Sequence, residues 1–300
     1  MGLSGTLAPI VLFCYNRPVH LQQTVESLRL NTLAAESELF VYSDGPKNER
    51  DIQQVAEVRQ YLAQLTGFRA VHVREAEKNK GLAASVIEGV SLVLSKYPKV
   101  IVLEDDMLST NDFLSFMNQA LDIYASRADI FSVTGYTPPI HFPDGYPHDV
   151  YLVPRASSWG WGTWAHKWAK ADWQVKSFPA FKNNAGMRAK FNEGGDDLWP
   201  MLAKQQQGII DSWAIRWTYS QFQNHAYGLY PVHSKIKNIG TDGSGTNFTF
   251  KSGEYGHEMA EGRVEMPADL APDETMIGAF GQYYRLPFLL KVKNKVKYGI

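Results

Sequence analysis

Residues 100–106 read Val-Ile-Val-Leu-Glu-Asp-Asp. Four consecutive apolar, mostly β-branched residues are the signal of a short buried strand. Three carboxylates follow at its C-terminal end, before the polar Ser109-Thr110-Asn111 that opens a helix. Adjacent carboxylates repel, so crowding them at a strand end is costly unless a cation sits there. A hard divalent metal suits oxygen ligands of this kind. The carboxyl edge of an open α/β sheet is also where ligands bind. The competing reading is a solvated turn in which Glu104, Asp105 and Asp106 help to cap the next helix.

Outward from this stretch, the first half alternates strand and helix patterns. Strands are expected at 10–15, 39–43, 70–74 and 100–103. Between them, Leu21, Val25 and Leu28, then Ile52, Val55, Val58, Leu62 and Leu65, then Leu82, Val86, Val90 and Val93 recur at helical spacing. A further helix is expected over 112–125. Repeating β-α units imply a mostly parallel sheet, so the loops after 15, 43, 74 and 103 should open on one edge. Those loops carry Asn16-Arg17, Asp44-Gly45, Asn79-Lys80-Gly81 and Glu104-Asp105-Asp106. The second half loses the rhythm and is rich in aromatics, Gly and turns. No linker separates it, so the expected fold is α/β, a single domain over 1–288 with a mostly parallel central sheet flanked by helices. Residues 1–135 would be its regular half, which carries the convergent loops, and 136–288 an irregular, aromatic-rich half. Residues 289–300 form a basic amphipathic tail.

Composition narrows the function by exclusion. With 44% hydrophobic and 20% charged residues the chain has an ordinary globular make-up, and a net charge of −1 gives no bulk attraction to nucleic acid. Cys14 lies inside the apolar run 10–15 and reads as a core thiol; a single cysteine excludes an intrachain disulfide and fits a reducing compartment. The N-terminus lacks the basic and apolar regions of a signal peptide, and no apolar run approaches ~20 residues. A cytoplasmic location is therefore expected, with peripheral contact at the inner face of the plasma membrane. The turn after the first strand, Tyr15-Asn-Arg-Pro18, is neither the Gly-x-Gly-x-x-Gly of a dinucleotide site nor a P-loop, and no zinc motif is present.

What remains is a metal-carboxylate site facing an aromatic half. A metal bridging a diphosphate would neutralise a departing nucleotide, and Trp faces suit sugar rings. Trp159, Trp161 and Trp164 are candidates for the acceptor side, with core packing as the competing reading. A carboxylate must also deprotonate an acceptor hydroxyl. Asp211, in Gly208-Ile-Ile-Asp-Ser-Trp213, is the candidate, although its position before a helix equally suits an N-cap.

Taken in order, Pro9-Ile-Val-Leu-Phe-Cys-Tyr-Asn-Arg17, Asp44-Gly45, Asn79-Lys-Gly81, Val102-Leu-Glu-Asp-Asp106, Ser158-Trp-Gly-Trp-Gly-Thr-Trp164, Asp211-Ser-Trp213 and Asn238-Ile-Gly-Thr-Asp-Gly-Ser-Gly245 form a set. The set resembles nucleotide-sugar glycosyltransferases of the GT-A fold. The likeness is to bacterial polysaccharide enzymes related to the eukaryotic N-acetylglucosaminyltransferase that initiates complex N-glycans. The resemblance implies a metal-dependent (Mn²⁺ or Mg²⁺), inverting transfer from a nucleotide diphosphate sugar, with UDP the expected nucleotide, to a hydroxyl of a glycan or lipid-linked glycan. It implies that Arg17 and Asp44 contact the base or phosphate, that Asn79 and Lys80 lie beside them, and that Glu104 and Asp105 touch the ribose. Asp106 would bind the metal, Asn247 would offer it a further oxygen, and Asp211 would be the general base. The alternatives are a sugar nucleotidyltransferase, which would want a basic Gly-rich phosphate loop after the first strand, and a non-catalytic carbohydrate-binding protein, which would not need the carboxylates at 104–106. In the tail, Leu289, Val292 and Val296 share one helical face flanked by Lys291, Lys293, Lys295 and Lys297, a pattern suited to an anionic membrane surface or to a plain solvated helix.

Overall fold

Five apolar residues, Ile10–Cys14, form an interior strand, β1, with every side chain buried. The computed structural model describes residues 6–243 and 258–300. After β1 come α1 (Pro18–Arg29), β2 (Glu38–Ser43), α2 (Ile52–Leu62), β3 (Ala70–Glu75), α3 (Leu82–Leu94), β4 (Lys99–Glu104), β5 (Met107–Ser109) and α4 (Phe113–Ile123). The second half contributes β6 (Ile130–Thr134), β7 (Val150–Val153), β8 (Trp161–Trp164), α5 (Ala165–Trp168), α6 (Phe178–Lys182), α7 (Ala185–Phe191), α8 (Leu198–Gln206), α9 (Trp213–Gln223), β9 (Tyr227–Pro231) and β10 (Ile236–Asn238). Helices α10 (Glu274–Tyr283) and α11 (Phe288–Tyr298) follow.

Eight strands make one sheet in the order β3-β2-β1-β4-β8-β6-β9-β7, and β5 pairs with β10 in a small second sheet. The four strands expected in the first half are present and pair in parallel. Their carboxyl ends therefore share one edge, and the four loops named above converge there. Beyond β4 the sheet turns mixed: β8 runs antiparallel to both β4 and β6, while β9 is parallel to β6. The strands of the aromatic half thus extend the same sheet.

Alternation along the strands sorts the core into two layers. Ile10, Leu12, Cys14, Ile101 and Leu103 face α1 and α4, meeting Leu21, Val25, Leu28, Phe113, Met117 and Leu121. Val11, Phe13, Val100 and Val102 face α3 and α9, meeting Val86, Val90, Val93, Trp213 and Trp217. Because β1 and β4 are covered on both faces, they read as unbroken apolar runs. The edge strand β3 is mostly exposed and carries Arg74 and Glu75, charges that discourage further pairing.

The tryptophans correct one expectation. Strand β8 lies inside the sheet, so both of its faces are buried. Trp161, with no exposed surface, points into the α3/α9 layer and packs on Trp213 and Trp168 with ring centroids 4.9 and 5.7 Å away. Trp164 points into the other layer, where its Nε1 donates to the Leu121 carbonyl at 2.8 Å. Core packing, rather than an open sugar platform, is what the structure assigns to these two. Trp159 precedes the strand, is only half-buried and sits edge-on to Tyr136. Among the described residues, no helix is long and apolar enough to cross a membrane.

Candidate active site at the carboxyl edge of the sheet

Arg17 stands just before α1, whose first residue, Pro18, has its φ already set for a helix. That placement aims the guanidinium at the end of β4. Its Nη2 bonds to Asp105 Oδ1 and, at 2.8 Å, to Asp106 Oδ2. Asp105 Oδ2 accepts from the Tyr15 N–H at 3.3 Å. Thr24 of α1 locks the turn from beneath, donating to the Asp105 carbonyl at 2.9 Å and accepting from Met107 N–H at 3.0 Å. Among the described residues, buried Arg17 Nη1 has no hydrogen-bond partner.

Three carboxyls share this one guanidinium, and the electrostatics show the strain. Burial, then the Asp106 and Asp105 charges, push Glu104 up to about 8 against the pull of Arg17. Burial likewise raises Asp105 against Arg17's attraction. Burial disfavours the Arg17 charge, but Asp105 and Asp106 outweigh it and hold the guanidinium protonated.

The segment after β10 closes over Asp106. Antiparallel pairing of β10 with β5 sets Asn238 opposite Met107. Ile239 N–H then donates to the Asp106 carbonyl at 2.8 Å, and Asn238 Oδ1 accepts from Gly240 N–H at 2.7 Å. Asn238 Nδ2 lies 3.5 Å from Asp106 Oδ1. A Cβ on Gly240 would lie 2.1 Å from Asp106 Oδ2 and 2.8 Å from Arg17 Nη1, so only glycine fits here. Nearby, Asp242 pairs with His20 of α1 at 3.3 Å. Asn247, expected as a further metal ligand, lies outside the described residues.

The loops after β2 and β3 form a second cluster. Asp44 Oδ1 accepts from the N–H groups of Gly45 and Lys80, both at 2.9 Å, and Oδ2 from that of Gly81 at 3.0 Å. Asn79 Nδ2 donates to the Gly45 carbonyl at 3.0 Å. Asp44 thus builds the loop that carries Asn79 and Lys80, while Oδ2 keeps a lone pair for a ligand. Lys80 Nζ meanwhile contacts Glu88 of α3. Beside them, Tyr42, Ser43, Arg74, Glu75, Ala76 and Ser85 complete a depression of about 380 Å³, within the range of small-molecule sites. A depression of about 330 Å³ at the opposite edge, among Glu36, Glu38, Arg69 and Tyr97, has its principal acid paired already with Arg69, Tyr97 and His72. Sequence reasoning missed Asp51, which ties the first loop by accepting from Tyr15 Oη at 2.8 Å and Asn16 Nδ2 at 3.0 Å.

Asp211 stands apart from the carboxylate cluster. The helix cap is Ser212, whose Oγ accepts from Ile215 N–H at 3.3 Å, so Asp211 is released from capping. Its side chain is 67% exposed and pairs with Arg216 at 3.0 Å. Two residues later, Trp213 stacks on Trp161, which is in register with Val102 of β4. Through that stack the start of α9 is fixed relative to the strand that ends in Glu104. Cys14 is buried, and burial pushes its thiol well up, as suits a core residue.

The donor set at Asp106 tests whether a divalent cation fits. Among the described residues, no three or more His, Cys, Asp or Glu side chains surround a common point. A closed protein cage is therefore absent among them. Mg²⁺-type sites, however, commonly use one or two carboxylates plus substrate phosphates. Asp106 offers hard oxygens, one of them engaged among the described residues only by a long contact to Asn238, and the excess carboxyls around Arg17 favour added positive charge. The residues fit a cation that arrives with a diphosphate.

A family model described as glycosyl transferase family 2 matches residues 10–193, from β1 to the segment after α7. The chain belongs to this family. The match covers the parallel strands, the Arg17–Asp105–Asp106 cluster and β8, and the mixed sheet flanked by helices accords with the GT-A fold implied by the sequence motifs. A comparison with curated proteins returns no match. Among solved structures, the glycosyl transferase family 2 chain is similar to the mannosyltransferase PcManGT from Pyrobaculum calidifontis, solved in complex with GDP-Man and Mn²⁺. Identity is 14% over 54% of this chain and 45% of that one, with a TM-score of 0.39. It is also similar to S. aureus TarS 1-349, at 10% identity over 78% of this chain and 61% of that one, with a TM-score of 0.41. The chain thus spans less than two thirds of the length of either.

Proposed function

We propose that this protein transfers a sugar from a nucleotide diphosphate sugar, with UDP as the nucleotide, to a hydroxyl of a glycan or lipid-linked glycan, with inversion at the anomeric carbon. The observation that carries the reading is the Arg17–Asp105–Asp106 cluster at the carboxyl edge of β4, within the stretch matched by the family. Arg17 has a buried Nη1 without a partner among the described residues, the kind of donor a diphosphate oxygen satisfies. Asp44 and Lys80 border the depression at β2 and β3, Asn79 adjoins Lys80 in the same loop, and all three are assigned to the nucleotide, as are Glu104 and Asp105. Asp106 is assigned to Mn²⁺ or Mg²⁺. When bound with the diphosphate, such an ion neutralises charge on the departing nucleotide.

On the acceptor side, Asp211 takes the proton of the attacking hydroxyl. A hydroxyl is a weak nucleophile at neutral pH and needs this help as the new bond forms. In a single displacement the base and the leaving group lie on opposite faces of the sugar. Asp211 belongs to the second half of the chain, whereas Glu104 and Asp105 are committed to the nucleotide side. Of the three tryptophans, Trp159 alone is retained as an acceptor contact. Residues 1–135 and 136–288 divide the work between donor and acceptor.

The test is calorimetry of UDP with Mn²⁺ on the wild type and Asp106→Ala, beside a hydrolysis screen of nucleotide sugars. Metal-dependent UDP binding that disappears in the variant is expected. Unchanged affinity would remove Asp106 from the metal, and no hydrolysis or binding of any nucleotide sugar would remove the donor class.

A further inference from the structure

Helix α11, Phe-Leu-Leu-Lys-Val-Lys-Asn-Lys-Val-Lys-Tyr over 288–298, has two faces that the sugar-transfer reading leaves unused. It docks on the body by one side only. Asn294 is buried, the Tyr298 carbonyl accepts from Gln207 Nε2 at 3.2 Å, and Lys204 of α8 lies 5.0 Å over the Tyr298 ring. Asp196 pins the start of the helix, binding Lys291 Nζ and the Leu286 N–H. The opposite side is bare. Phe288, Leu289 and Val296 are 77%, 79% and 83% exposed, and Val292 is exposed with them. At helical spacing these four fall within about 100° of arc. Lys291 and Lys295 border that arc on one side, and Lys293 and Lys297 on the other. The helix carries no acidic residue.

We propose that this face seats on an anionic phospholipid surface. An apolar stripe edged on both sides by lysines matches what lies at a bilayer interface: the stripe enters the acyl boundary while the lysine stems run along it and keep their charges among the headgroups. Charge decides between lipid and a second copy. A two-fold contact through this face would oppose each lysine row with another, and neither face supplies an acid. The chain's net charge is only −1, so the basic density is local to this helix. The placement also suits the proposed reaction. Gln207, which holds the end of α11, lies four residues before Asp211, so a surface-bound enzyme would hold its acceptor side near the lipid.

The inference extends the lipid-linked acceptor reading to the surface where that acceptor is met, and its test uses no nucleotide, so either can fail alone. The wild type, Lys293→Gln/Lys295→Gln/Lys297→Gln and Phe288→Ser/Leu289→Ser/Val296→Ser are sedimented with phosphatidylcholine vesicles that contain or lack phosphatidylglycerol. Thermal unfolding should be unchanged in both variants, because the altered side chains project from the body. The wild type should bind the phosphatidylglycerol vesicles and hardly bind the neutral ones. Each lysine near such a surface strengthens binding about fivefold, so the charge variant should bind on the order of a hundredfold more weakly. The apolar variant should lose the binding that persists at raised salt, where screening leaves mainly apolar burial. Wild type that stays in the supernatant, or variants that bind as it does, would overturn the proposal. So would a concentration-dependent dimer that the apolar variant dissolves, since a second copy would then own the face.

Discussion

Replacing Arg17 with Met keeps the apolar stem and removes the only cation bonded to Asp105 and Asp106 among the described residues. The side chains concerned are 18%, 5% and 10% exposed, so water compensates little. Breaking a buried pair by removing one partner costs roughly 3–5 kcal/mol, because the charge left behind stays desolvated. At the usual conversion for domains of this size, that is a fall in Tm of about 6–20 °C.

The pH dependence separates this mechanism from simple lost packing. Glu104 titrates from 4.5 when free to about 8 in the folded protein, so between these values the folded chain binds more protons than the unfolded one. Stability therefore falls as pH rises through that window. Without Arg17, Glu104 and Asp105 lose its lowering pull and the fall steepens. The gap in Tm between wild type and Arg17→Met should be smaller near pH 5, where Glu104 is largely protonated, and widest at pH 8. Thermal unfolding followed by circular dichroism at pH 5, 6.5 and 8 measures it. Equal Tm values at pH 8, or a wider gap at pH 5, would refute the counterion reasoning. Mn²⁺ should restore part of the loss at pH 8, since binding to the folded state alone stabilises it by mass action. If it does not, the metal assignment fails while the counterion account stands.

Two further substitutions probe the acceptor side and the cover over Asp106. Asp211→Asn should lower sugar transfer by about two to four orders of magnitude with UDP binding unchanged; transfer near the wild-type rate, or a product that retains the donor's anomeric configuration by NMR, would rule out its role as base. Gly240→Ala should cost about 1–3 kcal/mol and weaken Mn²⁺-dependent UDP binding at least tenfold, because its Cβ would lie 2.1 Å from Asp106 Oδ2. Gly278→Ala, which meets nothing within 4 Å on α10, should instead be neutral or stabilising by about 0.5–1 kcal/mol; similar destabilisation in both variants would show that the effect is not contact with Asp106.

The parallel half was legible because its strands are short unbroken apolar runs, each closed by a turn that carries chemistry. Burial on both faces makes β1 and β4 read this way, and the β-α order then dictates that their loops share an edge. The tryptophans were misleading for a related reason. Trp161 and Trp164 alternate as a strand in the middle of a sheet requires, but a Gly-rich aromatic run offers no local sign that both faces are covered. The cap reading of Asp211 arose because two capping residues adjoin, and only geometry shows that Ser212 takes the N–H. Gly240 and Asp51 reach the site through pairings of β10 with β5 and of Asp51 with the first loop, contacts far apart in sequence that periodicity does not encode.

The carboxylates are distinguished by what their oxygens have left to give. Asp44 has three backbone N–H groups and is occupied in shaping a loop. Asp105 divides its oxygens between Arg17 and the Tyr15 N–H. Asp106 gives one oxygen to Arg17, and among the described residues its other meets only Asn238, at 3.5 Å. Glu104, raised to about 8, stays largely protonated at neutral pH. Sequence presents Glu104, Asp105 and Asp106 as equivalent members of a triplet. Hydrogen-bond accounting leaves Asp106 with more unused acceptor capacity than Asp105, while Glu104 is held protonated, and that supports its assignment to the metal over its two neighbours.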